Sequence, residues 1–503
     1  MSLAIAYTRA LVGVDAPQVS VEVHLSGGLP SFAIVGMPEQ AVKESRERVR
    51  SALINSGFEF PQRRITVNLA PADLPKEGGR YDLAIAVGIL AASKQIPPNA
   101  LSKVELLGEL ALSGELRPVN GVLPAALACR SCNRALILPE SNQADALLAS
   151  RLTIFPAGHL LQVCAHLKGE SLISAAVAVP VASKKEFYPD LQDVRGQQQA
   201  KRALEIAASG QHNMLLVGPP GSGKSMLANR LPGILPDMTE AEALSVAAIY
   251  SVINRPEGVG LPRSRPFRAP HHTASSVALV GGGGNPKPGE ISLAHQGVLF
   301  LDELPEFSRA VLEVLREPLE SGEILISRAA RQTLFPAKFQ LVSAMNPCPC
   351  GFYADGTDRC RCSPDQVRRY QSKVSGPLLD RIDLQLSVQA VSQKELMDAP
   401  VGTESSAQVR ERVMRCRKVQ LQRQGKPNQL LDGQLLDQHC AVSEADKEVL
   451  AAALDKLQLS ARAYHRVLRV ARTIADLEGA KNVQRKHLFE ALSYRVSARS
   501  SMG

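Results

Sequence analysis

The chain has 503 residues, of which 45% are apolar, 21% charged and 4% aromatic, with no Trp and a formal charge of +9. That length points to about three domains, and that balance excludes wholesale disorder and a collagen-like rod. The positive excess leans towards a polyanionic partner, although a modest charge spread over so long a chain need not form a patch.

No run approaches the ~18 apolar residues that span a bilayer. The longest candidates, residues 83–92 and 172–182, are too short. The first nine residues lack a basic stretch followed by an apolar one and a cleavage site. These features read as a soluble, cytoplasmic protein with no membrane partner. The nine Cys, an odd number, do not read as a disulfide framework.

In chain order, residues 1–182 alternate short apolar strands with helices. Residues 65–69 and 135–139 read as strands ended by loop residues. Residues 39–55 read as a helix with Ala41, Val42, Val49 and Leu53 near one face. Residues 81–93 read as a second, mostly buried helix. A polar, charged break at 183–193 reads as a linker. Residues 194–390 alternate glycine loops, strands and helices in the manner of a parallel α/β sheet. Residues 391–503 are helical and charge-laced, with no strand signal.

Gly218, Pro219, Pro220, Gly221, Ser222, Gly223, Lys224 and Ser225 match G-x-x-x-x-G-K-[ST] in full. An apolar strand, 213–217, precedes them and a helix, 226–230, follows, which is the context that motif requires. Glycines let backbone N–H groups close around phosphates at a helix start. Lys224 then supplies charge to the β/γ oxygens of ATP, and Ser225 a ligand to Mg²⁺. The apolar strand 297–301 runs into Asp302 and Glu303. Two acids at the end of a buried strand are costly unless they bind a metal or act chemically. Asp302 is placed to hold the Mg²⁺ shell, and Glu303 to polarise the attacking water as general base. A further strand, 340–345, ends in Asn346. Arg381 stands between acids, and Arg462, Arg466 and Arg469 share one helix face.

Arg268-Ala-Pro-His-His-Thr273, the run from Pro288 through Asp302-Glu303, Asn346-Pro-Cys348-Pro-Cys350-Gly351 and Gly376-Pro-Leu-Leu-Asp-Arg381-Ile-Asp-Leu384 resemble the magnesium-chelatase-like AAA+ ATPases. The similarity is closer to the YifB/ComM competence proteins and runs nearly end to end. The resemblance implies an α/β fold, with an AAA+ P-loop core of parallel sheet flanked by helices over 194–390. It implies a C-terminal α-helical lid over 391–503. It also implies a ring-forming, usually homo-hexameric ATPase acting on single-stranded and branched DNA in transformation and recombination, with recombination proteins as candidate partners. Asn346 falls at the sensor-1 position, Arg381 at the arginine finger that reaches a neighbouring subunit, and Arg462 at sensor 2, with Arg466 its rival.

Lys76-Glu-Gly-Gly-Arg80-Tyr-Asp82 and the run from Leu107 to Val122 resemble the Lon-protease-like, S5-like α+β domain. That family needs a Ser activated by a Lys. Arg80 and Leu123 stand at those positions, so the domain is expected to be non-proteolytic. The missing pair argues against an ATP-dependent protease. The alternative motor is a chelatase-type protein-remodelling subunit. Against it stand the Lon-like domain, the cysteine cluster and the lack of an integrin-like metal-binding domain.

Cys348, Cys350, Cys360 and Cys362 form C-x-C-x₉-C-x-C. Two tight pairs across a turn can close a tetrahedral Zn²⁺ site; reduced free thiols are the other reading. Cys129 and Cys132 read as structural.

Salt-dependent, sequence-independent DNA binding requires Lys and Arg along a pore. The insertion 255–287, with Arg263, Arg265, Arg268, His271, His272 and Lys287, is one candidate lining. The hairpin-like 322–332, with Arg328 and Arg331, is the other. In related ATPases these are the helix-2 insert and the pre-sensor-1 hairpin. His271 and His272 lack a partner at metal-ligand spacing. Residues 410–426 carry seven bases and one acid, Glu411. They read as a solvated connector or, alternatively, as a DNA groove.

Overall fold

The computed structural model describes residues 2–177, 187–253, 261–284, 286–328, 331–353, 358–391, 403–456 and 461–502. Described residues within 1–184, 240–262 and 286–288 form one compact unit; the rest form another. No helix among them is long and apolar enough to cross a membrane.

The first unit holds strands β1 (Ser2–Arg9), β2 (Gln18–Ser26), β3 (Ser31–Val35) and β4 (Arg64–Ala70), in the sheet order β1-β2-β4-β3. Every second residue of β2, from Val19 to Leu25, is buried, as expected for a sheet with one face on a core. Helices α1 (Ser45–Asn55) and α2 (Asp82–Ala92) share that core, and α2 is buried along its whole length. The helix read over 39–55 is interrupted at Glu44, and Ser45 and Arg48 turn to the buried Asp82 carboxylate. A second, parallel sheet has the order β5-β6-β7, from β5 (Val104–Leu106), β6 (Ala135–Pro139) and β7 (Ile154–Ala157).

Helix α3 (Val122–Ser131) packs in one core with Ala247 and Ala248 of the helix Glu240–Val252. Sequence order places that second helix in the ATPase segment, yet it folds with the first unit. Its buried Ala243, Val246 and Ala247 recur at helical spacing, and such a face needs an apolar partner. Arg80 is buried just before α2, and its Nε and Nη2 have no partner among the described residues. Leu123 is buried in α3. Neither residue supplies a nucleophile or a base.

The second unit is built on β8 (Met214–Val217), β9 (Phe267–Arg268), β10 (Val298–Leu301), β13 (Gln340–Met345) and β14 (Leu384–Ser387). All five are parallel, in the order β9-β10-β13-β8-β14. A separate antiparallel hairpin joins β11 (Glu323–Arg328) to β12 (Arg331–Pro336). Strands β8, β10 and β13 are buried throughout, so they read as continuous apolar runs. The register sets Val217 beside Met345 and Leu301 beside Ser343. The carboxyl ends of these three strands therefore meet along one edge, where ligands of open α/β sheets bind.

Helices α4 (Gln198–Gly210), α5 (Lys224–Ala228), α6 (Pro364–Gln371), α7 (Ser406–Gln424), α8 (Glu444–Lys456), α9 (Ala461–Leu477) and α10 (Arg485–Met502) are among the helices of this unit. Val470, Ala471 and Ile474 of α9 enter the same core as Leu204 and Met214. The C-terminal helices are therefore continuous with the sheet's core. Beyond Ser387 the described residues are helical, with no strand.

Candidate ATPase site and four-cysteine turn

The loop after β8 places Lys224 at the start of α5, two residues earlier than the sequence suggests. Gly223, at φ +86°, provides the left-handed turn into that helix, which a residue with a Cβ adopts only under strain. Lys224 Nζ donates to Gly218 O (2.8 Å), Pro219 O (2.9 Å) and Asn346 Oδ1 (3.1 Å). Its pKa is lowered by burial, opposed by Asp302 and then Glu303. The ammonium is thus tied to the loop and to the strand-end Asn346.

Ser225 Oγ donates to Asp302 Oδ2 at 2.5 Å. Hard oxygen donors in this pairing suit Mg²⁺. Asp302 Oδ1 accepts from the Glu303 backbone N–H (2.9 Å). Glu303 adopts φ +53°, a strained left-handed conformation of the kind that clusters at functional sites. Its Oε2 lies 2.9 Å from His272 Nδ1. The His272 ring lies tilted by 33° against His271, with centroids 4.1 Å apart, and meets Phe307 edge-on. The sequence grouped His272 with the candidate DNA lining of the 255–287 insertion; the fold brings it to Glu303 instead.

Arg381 is 6% exposed. Its Nη1 donates to Pro377 O (2.7 Å), and Nη2 pairs with Glu320. Asn213 Nδ2 and Arg466 Nη1 both donate to its backbone carbonyl. The finger candidate is therefore fixed at its backbone and turned to a carboxylate of its own chain. Arg466 also pairs with buried Asp383 (2.8 Å), which lies 3.7 Å from His212. Burial opposes ionisation of Asp383, but Arg466, His212 and the Asn213 amide outweigh it and hold its carboxyl well below the usual range. Arg466 is a structural anchor here, whereas Arg462 is exposed and makes no hydrogen bond or ion pair among the described residues.

Basic residues singled out for DNA fare differently. Arg268 is held by Glu290 through two hydrogen bonds of 2.6 and 2.7 Å, a bidentate pair that occupies its guanidinium. Arg265 donates to Pro236 O and Gln296 O. Lys287 is exposed and belongs to the first unit. Arg328 and Arg331 face each other as the last backbone pair of the β11–β12 hairpin. Residues 254–260 of the insertion lie outside the described residues. The basic run 410–426 is not a solvated connector throughout. Arg410 pairs with Asp237, Arg412 with Glu404 and Glu205, Arg423 with Asp476, and Arg417 donates to Ser209 O and Ala208 O.

The ligand sulfurs of Cys348, Cys350, Cys360 and Cys362 all lie within 4.8 Å of one another. Three pairs measure 3.3, 3.8 and 3.6 Å. Burial resists ionisation of Cys350, but the Phe352 amide and the Cys348 and Cys362 thiols outweigh it and hold its thiol down to about 6. At Cys362 a backbone hydrogen bond from Cys350 favours the thiolate, but desolvation and the neighbouring thiols win, and its thiol is pushed up to about 12. One thiolate thus forms readily and disfavours the next. Cys129, by contrast, is buried beside exposed Cys132, which accepts from Arg9.

A P-loop, a strand-end acid pair and a polar strand end, set on a 5-stranded parallel sheet, define a P-loop ATPase of the AAA+ class. The family described as "Magnesium chelatase, subunit ChlI" matches residues 190–396; its companions "Subunit ChlI of Mg-chelatase" and "Magnesium chelatase, subunit ChlI C-terminal" match 21–142 and 403–495. Competence protein ComM of Haemophilus influenzae is 53% identical over 503 residues, covering 99% of this chain and 98% of its own. YifB of Salmonella typhimurium is 51% identical over 496 residues, covering 99% and 97%. The chain belongs to the magnesium-chelatase-like ComM/YifB family. The magnesium-chelatase 38 kDa subunit of Cereibacter sphaeroides is 26% identical over 331 residues, covering 60% of this chain and 90% of its own.

Proposed function

We propose that the chain is an ATP-driven, homo-hexameric DNA motor, a helicase or branch-migration enzyme acting on single-stranded and branched DNA. Its setting in this reading is the cytoplasm, during natural transformation and homologous recombination, with recombination proteins as candidate partners. The observation that carries the reading is a P-loop joined to Asn346 and Asp302 in a chain 53% identical, end to end, to a competence protein.

In this reading Lys224 exchanges its carbonyl contacts for the β/γ-phosphate oxygens of ATP. Ser225 and Asp302 hold Mg²⁺, which supplies charge neutralisation to the phosphates. Glu303 accepts a proton from the attacking water, and Asn346 orients that water. Arg381 leaves Glu320 and reaches the γ-phosphate on a neighbouring subunit. Arg462 serves as sensor 2, since Arg466 is committed to Asp383. Arg328 and Arg331, with Lys287, provide phosphate contacts to DNA. A Zn²⁺ in the four-cysteine turn completes the cofactor set.

ATP turnover measured with and without forked DNA tests this. The motor reading expects DNA to stimulate turnover and Glu303→Gln to abolish it. The second reading, a chelatase-type protein-remodelling motor, is favoured by the match to the 38 kDa chelatase subunit. It expects turnover indifferent to DNA.

A further inference from the structure

The four-cysteine turn is built into the nucleotide loop. Gly351, between Cys350 and Phe352, adopts φ +86°, and a Cβ there would lie 2.4 and 2.7 Å from Cδ and Cγ of Pro220. The turn therefore lies flat against a rigid ring of the P-loop, and only glycine permits that approach. At its other end the same segment supplies Asn346, the acceptor for Lys224 Nζ. Between the two, Pro347 O accepts from Gln371 Nε2 of α6 at 3.0 Å, and Cys348 O accepts from Gly351 N–H at 3.0 Å. Six residues thus touch the P-loop at two points. Cys360 and Cys362 belong to the other arm, which leads into α6 through the Ser363–Gln366 capping box.

Four thiolates around Zn²⁺ at ~2.3 Å stand ~3.8 Å apart when tetrahedral. The sulfur pairs at 3.3, 3.6 and 3.8 Å are already near that spacing. A dication discharges the mutual repulsion that four ionised sulfurs at these distances create. From this geometry we propose that Cys348, Cys350, Cys360 and Cys362 bind one Zn²⁺, and that the closed turn is a strut setting the position of Pro220 and Asn346 for nucleotide binding. The inference rests on the ATPase reading and adds a dependence of ATP affinity on the metal. Zinc joins the arm carrying Gly351 to the arm that starts α6. Without it the Gln371–Pro347 hydrogen bond is left to tie α6 to the segment that carries Gly351.

The test uses the full chain. Zinc is counted by elemental analysis, and KM and kcat for ATP are measured on the same samples with Mg²⁺ in excess. The native chain is expected to carry about one zinc. Cys360→Ser with Cys362→Ser, both on the arm that leads into α6, is expected to lose the metal and raise KM on the order of tenfold, with a smaller change in kcat. Gly351→Ala is expected to keep its zinc and still raise KM, and it decides the matter if the double variant fails to fold. A native chain that hydrolyses ATP without zinc overturns the metal site. Zinc present, with KM unchanged in both variants, overturns the strut. A zinc-loaded chain with no ATP turnover overturns the ATPase reading instead.

Discussion

Glu303 illustrates how much one residue carries. It sits in a left-handed backbone conformation with its carboxylate against His272. In the motor reading it is the general base, a role that contributes typically 10²- to 10⁴-fold. Glu303→Gln is therefore expected to lower kcat by about that range while nucleotide affinity, read by equilibrium binding, stays within a few-fold. His272 lies 2.9 Å from the Glu303 carboxylate. His272→Ala is expected to lower kcat on the order of tenfold with KM for ATP little changed, through misplacement of the carboxylate. Steady-state kinetics separate the two parameters. The P-loop and the Asp302–Glu303 pair were legible because each is a contiguous run whose chemistry is local. His272–Glu303 and Arg381–Glu320 were not. Each contact joins residues distant in sequence, and a His pair alone reads as surface or metal.

At the level of elements, the junction of β14 with α9 depends on one buried carboxylate. Asp383 receives Arg466 and faces His212, all within the second unit. Asp383→Ala leaves Arg466 without its charge partner, which for a buried pair costs about 3–5 kcal/mol. Denaturant unfolding monitored by circular dichroism measures that loss. The pH dependence has a definite sign. A carboxyl with a depressed folded pKa contributes stability that is full above its unfolded value of about 3.9, and loses it as pH falls towards the folded value. The β11–β12 hairpin makes a separate prediction. Arg328→Ala with Arg331→Ala is expected to reduce the slope of log affinity for DNA against log salt by about 2, one unit per lost phosphate contact. An unchanged slope removes the hairpin from the DNA path. Strands β8, β10 and β13 were readable as apolar runs because both faces are buried. The partner of the helix Glu240–Val252 was not readable, since an apolar face does not name what covers it. The charge of 410–426 was plain, yet its use was hidden, because four of its arginines are tied to residues elsewhere in the chain.

For the whole molecule, the account requires neighbours. Arg381 acts across a subunit boundary in this reading, so two inactive chains can rescue each other. Chains carrying Arg381→Ala keep Glu303, and chains carrying Glu303→Gln keep Arg381. Mixed, they are expected to regain ATP turnover that neither shows alone; no recovery at any ratio places the arginine's role within its own chain. The family was legible end to end, and the parallel α/β core with it, because the motifs lie in order along one chain. Motion on DNA is not written in any single contact. The most direct measurement is therefore ATP-dependent strand exchange on labelled forked and four-way DNA, with Glu303→Gln beside the native protein. Exchange by the native protein alone is the predicted result. No exchange, with ATP turnover indifferent to DNA, would contradict the account.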